Sequence, residues 1–233
     1  MDYDIVGGSM QSLHIRLKPG EKIYSDSGKL LGKSASVVMT PRLVGGIIGA
    51  VERKITGATG MLTEFRSSNS NGEISLSGVM PGKILAVQLK PGESFISEQY
   101  AFLAAEDTVQ FSVQTMNFGA AFFGGEGIIL QKLTGPGTVF IHIVGDIVQV
   151  DVDEKNPVEI DPGHIAGYFS TLQFKVRFVD NVKTAMFGGV GLFLASFSGK
   201  GKLYLHSLSR YKLASELFEQ GMKYRGEAKK YQQ

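Results

Sequence analysis

The chain has 233 residues, 43% of them hydrophobic and 20% charged, and its 24 Lys+Arg stand against 22 Asp+Glu for a formal charge of +2. Such a chain buries a sizeable core and is not disordered, and its even charge balance excludes a protein whose main work is neutralising phosphates, so nucleic acid is not an expected partner. With no Cys, disulfides, thiolate nucleophiles, iron–sulfur clusters and Cys-based zinc sites are excluded together, leaving His and carboxylates for any metal.

The chain opens on Met1-Asp2-Tyr3-Asp4-Ile5-Val6, with acids where a secretory signal carries positive charge and no apolar run behind them, which points to an intracellular, cytoplasmic protein. Next, Leu13, Ile15 and Leu17 alternate with other residues at the period of a strand and run into Lys18-Pro19-Gly20-Glu21, whose Pro-Gly suits the centre of a type II turn. The same pattern returns as Leu85, Val87 and Leu89 before Lys90-Pro91-Gly92-Glu93, and more loosely as Ile160-Asp161-Pro162-Gly163-His164. A second signature begins at Phe123-Gly124-Gly125-Glu126-Gly127 and runs through Thr134-Gly135-Pro136-Gly137 to His142. It aligns without gaps with Phe187-Gly188-Gly189-Val190-Gly191 through His206, and a degraded copy spans Gly57 to Leu76. In each copy an apolar run turns through glycine into another, which reads as a hairpin.

Two signatures recurring in one order predict an all-β fold of three internal repeats of about 70 residues, approximately 1–78, 79–145 and 146–207. No linker separates them, so residues 1–207 read as one closed, sandwich-like domain with a pseudo-threefold centre at which the units bury their edges. Helical periodicity is persuasive only at the end. Tyr211, Ala214, Phe218 and Met222 share one face, predicting an amphipathic C-terminal helix within 208–233, a mildly basic segment with six Lys+Arg and three acids. The most apolar stretch, Phe118 to Leu130, is broken by glycines and Glu126 and falls well short of the ~20 residues a spanning helix needs.

The order of Val6-Gly7-Gly8-Ser9-Met10-Gln11, Pro-Gly-Glu, Gly-Gly-Glu-Gly with Thr134-Gly135-Pro136-Gly137, and Asp161-Pro162-Gly163-His164 resembles the "altered inheritance of mitochondria" family over nearly the whole chain outside the C-terminal helix. That resemblance implies an all-β, double-stranded β-helix-like fold grouped with the tryptophan RNA-binding attenuator protein (TRAP-like), and no established enzyme activity. The attenuator's RNA and tryptophan binding do not transfer, because no motif here matches its binding residues. Eukaryotic relatives act in mitochondria; the acidic start does not resemble a transit peptide.

Candidate chemistry is sparse. A cupin-like metal site needs two or three His and a carboxylate. His142 and His206 follow equivalent turn glycines, His164 replaces Glu21 and Glu93, and His14 lies on the polar side of its strand, so all four read as structural or solvent-facing rather than as ligands. The glycine-rich Phe122 to Gly127 is followed by a strand pattern, not the helix start a phosphate cradle requires, and no Gly-x-Ser-x-Gly elbow occurs. Glu21 with Glu93, and Asp151 with Asp153, read as solvated turn acids. The feature left over is the apolar segment ahead of each second signature. Ile47, Ile48, Phe118, Phe122, Phe123 and Phe187 are of the kind found in a core, a subunit interface, a membrane-surface contact or a pocket wall. The expected protein is a non-enzymatic β-rich scaffold or interaction protein, homo-oligomeric and without a cofactor. A small-ligand or metal-binding β-barrel and a peripheral membrane protein are the alternatives.

Overall fold

The computed structural model of the chain describes residues 1–43, 61–116, 128–178 and 193–230. After β1 (Asp2–Val6), eighteen strands follow in three runs of six. The first run is β2 (Ser12–Leu17), β3 (Lys22–Asp26), β4 (Leu30–Lys33), β5 (Val37–Leu43), β6 (Met61–Ser67) and β7 (Gly72–Ser77). The second is β8 (Gly82–Leu89), β9 (Ser94–Glu98), β10 (Phe102–Glu106), β11 (Gln110–Met116), β12 (Ile128–Thr134) and β13 (Gly137–Val144). The third is β14 (Ile147–Val152), β15 (Val158–Ile160), β16 (Ile165–Phe169), β17 (Leu172–Phe178), β18 (Phe193–Gly199) and β19 (Gly201–His206), and the helix α1 (Arg210–Lys230) closes the chain. Among the described residues the protein is all-β with one C-terminal helix, as its sequence patterns predict.

Each run divides its strands between two sheets, the first, third and sixth strands entering one and the second, fourth and fifth the next. The four sheets are therefore β1-β2-β7-β4, then β5-β6-β3-β10-β13-β8, then β11-β12-β9-β16-β19-β14, and last β15-β18-β17. The turns expected at Pro-Gly are present: the Glu21 and Glu93 amides donate to the Lys18 and Lys90 carbonyls at 3.0 Å, and Gly20 and Gly92 take φ of +82° and +78°. Both turns carry the chain from one sheet to another.

The glycine turns of the second signature are not hairpins: β6 and β7, β12 and β13, and β18 and β19 sit in different sheets. The hairpin partners are β5 with β6, β11 with β12 and β17 with β18. A turn sequence fixes only where the chain bends, whereas sheet membership depends on which faces are buried. The third counterpart of the Lys-Pro-Gly-Glu turn is also misplaced. Leu17 pairs with Gly72, Leu89 with Gly137 and Val152 with Gly201, so the matching turn is Asp153 to Asn156, whose amides at Lys155 and Asn156 donate to Asp153 Oδ1 at 2.8 and 2.9 Å. Asp161-Pro162-Gly163-His164 instead forms a 3-10 turn between β15 and β16, with Asp161 as its N-cap.

Three apolar cores lie between successive sheets. Leu13, Ile15, Ile74, Phe65 and Phe140 pack the first sheet on the second; Tyr24, Phe95, Phe102, Val139 and Tyr204 pack the second on the third; Ile96, Tyr168, Phe197 and Leu203 pack the third on the fourth. The outer β2 alternates half-buried and buried residues, while β13, covered on both faces, is buried at all eight positions. That is why Thr138 to Val144 reads as a near-continuous apolar run and Ser12 to Leu17 does not.

At the seam between β9 and β16, Gly167 pairs with Ser97, and a Cβ there would overlap the Phe95 ring and lie 2.7 Å from the Ile96 carbonyl oxygen. The bulge registers of β4 on β7 and β16 on β19 place Gly32 at the corresponding point of β4, where a Cβ would meet nothing within 4 Å. Gly167→Ala is expected to destabilise by about 2 kcal/mol through overpacking, and Gly32→Ala to be near neutral, as read from midpoints of denaturant unfolding.

Candidate functional site

A set of partly and deeply buried ion pairs lies where the runs meet. Met10 and Gly145, each just ahead of the first strand of a run, are joined through Gly82, which opens β8, by parallel bridges, Met10 to Gly82 and Gly82 to Gly145. Around this hub the second strand of each run ends on an acid or leads directly into one: Asp26, Glu98 and Asp161. Each has a cation. Lys29 Nζ lies 3.8 Å from Asp26, with the two side chains only 5% and 10% exposed. Arg210 Nη2 donates to both Glu98 oxygens at 3.0 and 2.9 Å, its guanidinium stacked 4.2 Å over the Tyr100 ring. Lys212 Nζ lies 2.9 Å from Asp161. The last two contacts fix the first turn of α1 to the β body, with the Ser209 carbonyl accepting from the Leu213 amide.

Burial, not charge pairing, sets most of the electrostatics. Burial pushes the Lys29 ammonium below its ordinary range against the pull of Asp26, and pushes the Glu98 carboxyl up against the pull of Arg210. Asp161 is half-buried, yet Lys212 and the Gly163 amide outweigh that burial and hold its carboxyl low.

Two buried imidazoles complete the hub. His206 ends β19 and His142 stands two residues before the end of β13, both 4% exposed and both at the place Ser77 holds in β7. The ring of His142 fills the space beside Gly78, where a Cβ would overlap it; burial, with Lys29 nearby, lowers its pKa to about 4. His206 is lowered to about 3 by burial and then by Arg210, His142 and His164. Its Nδ1 accepts the Val144 amide at 2.9 Å, so in the neutral ring the proton sits on Nε2, which has no partner among the described residues. His164 bonds through Nδ1 to the His206 carbonyl at 2.8 Å. His14, expected on an exposed strand face, is half-buried between the Ser12 and Ser75 hydroxyls, each at 2.9 Å.

Among the described residues no three His, Asp or Glu group as metal ligands. Glu21 and Glu93 each accept the amide three residues back, at 2.8 and 3.0 Å, and so act as turn caps. Ile47, Ile48, Phe118, Phe122, Phe123 and Phe187 lie outside the described residues; the stretches that hold them join β5 to β6, β11 to β12 and β17 to β18. Sequence reasoning missed Asp26, Lys29, Glu98 and Arg210. The recurrence of an acid at Asp26, Glu98 and Asp161 was available as a signal, but the misplaced third turn concealed it.

Antiparallel sheets in series, latched at one hub by a short ionic network and a terminal helix, define a class of β-rich protein whose recognisable residues are turns and seams. Residues 3–208 match the family described as mitochondrial biogenesis AIM24, and the chain belongs to that family. It is 24% identical over 212 residues to the uncharacterized protein M6_Spy0233 of Streptococcus pyogenes serotype M6, covering 88% of this chain and 84% of the relative. The crystal structure of protein SPYM3_0169 from Streptococcus pyogenes superposes with a TM-score of 0.78 at 22% identity, over 94% of this chain and 98% of that one, which is a likeness of fold. No helix among the described residues is long and apolar enough to cross a membrane.

The histidines generate a pH prediction. Their folded pKa values of about 4 and about 3 lie below the ordinary 6.5, so between pH 6.5 and 4 the unfolded chain binds more protons, and folding stability must fall as pH falls. The slope is on the order of 1.4 kcal/mol per pH unit per histidine within that window. Urea midpoints are expected to drop from pH 7 to pH 4.5, with a shallower drop in His142→Gln/His206→Gln.

Proposed function

We propose that residues 1–207 are three copies of one β unit forming a non-enzymatic, cytoplasmic scaffold or interaction protein that works as an assembly of its own copies. The observation that supports this best is the use of the charged groups at the hub. Lys29, Arg210 and Lys212 each hold an acid of the same chain, and Glu98 is bonded to both Arg210 and the Tyr100 amide. These contacts join parts of the fold rather than converge on a solvent-accessible reacting position, the arrangement an acid–base or nucleophilic site would need. An interaction role is further supported by α1, which leaves Tyr211, Leu217, Phe218 and Met222 48%, 61%, 70% and 54% exposed. The apolar face of the amphipathic helix that the sequence predicts is therefore exposed at Tyr211, Phe218 and Met222.

Native mass spectrometry of the purified full chain tests the reading. A discrete oligomer at the mass of its subunits is expected. Stoichiometric extra mass from a metal or small molecule would replace this reading with a ligand-binding one, and a monomer at micromolar concentration would remove the assembly.

A further inference from the structure

The second and third sheets share one construction. Each is two trios of strands, one from each neighbouring run, meeting at a seam. In the second sheet β3 meets β10 with Ser25 opposite Ala104, Tyr24 opposite Ala105 and Ile23 opposite Glu106. In the third, β9 meets β16 with Ser97 opposite Gly167, Ile96 opposite Tyr168 and Phe95 opposite Phe169. The end sheets hold one trio each. The fourth stops at β15, whose Val158 and Ile160 pair with Phe197 and Ala195 as Phe95 and Ser97 pair with Leu133 and Gln131, so β15 stands where β3 and β9 stand. The first sheet stops at β4, which carries the same bulge as β10 and β16 and stands in their place. Among the described residues both strands are sheet edges, and the two are not paired with each other.

We propose that β15 of one copy of this chain pairs antiparallel with β4 of a second copy, completing across the subunit boundary the six-strand seam that the second and third sheets complete within the chain. The proposal rests on the self-association reading above and specifies its interface. The internal seams dictate the register: Ile160 opposite Gly32, Glu159 opposite Lys33, and Val158 opposite Ser34. Three features favour this occupant. The space over Gly32 is empty to 4 Å, whereas the corresponding space over Gly167 is filled by Phe95 and Ile96. β15 is three residues long, Val158–Ile160, the length over which each internal seam pairs. The central pair is also charge-complementary: Glu159 would face Lys33, whereas β4 on β4 would oppose Lys33 to itself and β15 on β15 would oppose Glu159 to itself, both disfavoured. The contact is therefore head-to-tail and builds either a ring or a filament. Glu159 is held within the chain by Arg177 at 2.9 Å, but that pair is 41% and 60% exposed and weak enough to rearrange.

The absence of cysteine makes the test clean. Residues directly opposite in an antiparallel pair have Cα atoms ~4.5–5.5 Å apart, within disulfide reach. Full-length Lys33→Cys and Glu159→Cys proteins, mixed and mildly oxidised, are expected to give a reducible two-chain species, while each variant alone stays single-chain and Lys33→Cys with Val158→Cys links markedly less. In parallel, Lys33→Glu is expected to weaken self-association about tenfold, and Lys33→Glu/Glu159→Lys to restore it. Failure of the mixed pair to link, or a Lys33→Cys/Glu159→Cys protein that closes only within one chain, overturns the proposal. If native mass spectrometry still shows an oligomer, the interface is wrong and the scaffold reading stands; if it shows a monomer, both fall.

Discussion

Everything in this fold depends on the chain changing sheets at its glycine turns. A strand that leaves one sheet must satisfy its backbone groups in another, and buried amides and carbonyls tolerate few vacancies. Sending the first, third and sixth strands one way and the second, fourth and fifth the other builds an apolar core between each pair of successive sheets, and residues of neighbouring runs share it. The middle sheets are thereby covered on both faces, which is the reason for Ala104, Ala105 and Gly167 at the seams. Small residues let β3 meet β10, and β9 meet β16, beneath rings such as Phe95 and Phe140. The Pro-Gly turns and their capping glutamates serve this exchange, since Glu21 and Glu93 satisfy amides at bends where no ladder can.

The hub follows from the same geometry. Where three runs begin side by side, the ends of their strands bring polar groups together away from water, and burying a charge is costly unless it is paired and hydrogen-bonded. Arg210 with Glu98 and Tyr100 meets that requirement, and Lys29 is paired with Asp26 at 3.8 Å. His142 and His206 meet it differently, by remaining neutral. The cost is visible at His206, whose Nε2 proton has no acceptor among the described residues. The ion pairs hold the start of α1 to the β body, while the helix beyond Leu213 lies exposed through Met222.

Much of this was legible in the sequence, and the failures share one cause. Period-2 alternation in Leu13, Ile15 and Leu17, positive-φ glycines after proline, and the helical period from Tyr211 are all local signals, and each element they announce is present. What local chemistry does not encode is which sheet a strand joins. Gly135-Pro136-Gly137 between two apolar runs has the composition of a hairpin, and only burial on both faces of β13 shows that its partners are β8 and β10. Asp161-Pro162-Gly163 likewise has the chemistry of the Pro-Gly turn, but it occupies the next connection along. The charged hub stayed hidden for the same reason, because its acids recur by strand register rather than by motif.

Internal and terminal positions differ in what they place at the seam. At the place where the internal seams carry Ala105 and Tyr168, the end strand β4 carries Lys33, and where they carry Tyr24 and Ile96, β15 carries Glu159. Charged residues on an edge strand are the usual protection against indiscriminate pairing. Two edges protected by opposite charges are protected against their own kind and not against each other. On the proposed pairing, these charges disfavour like edges in the register centred on them and favour the one complementary edge, so the residues that guard each edge would also select its neighbour.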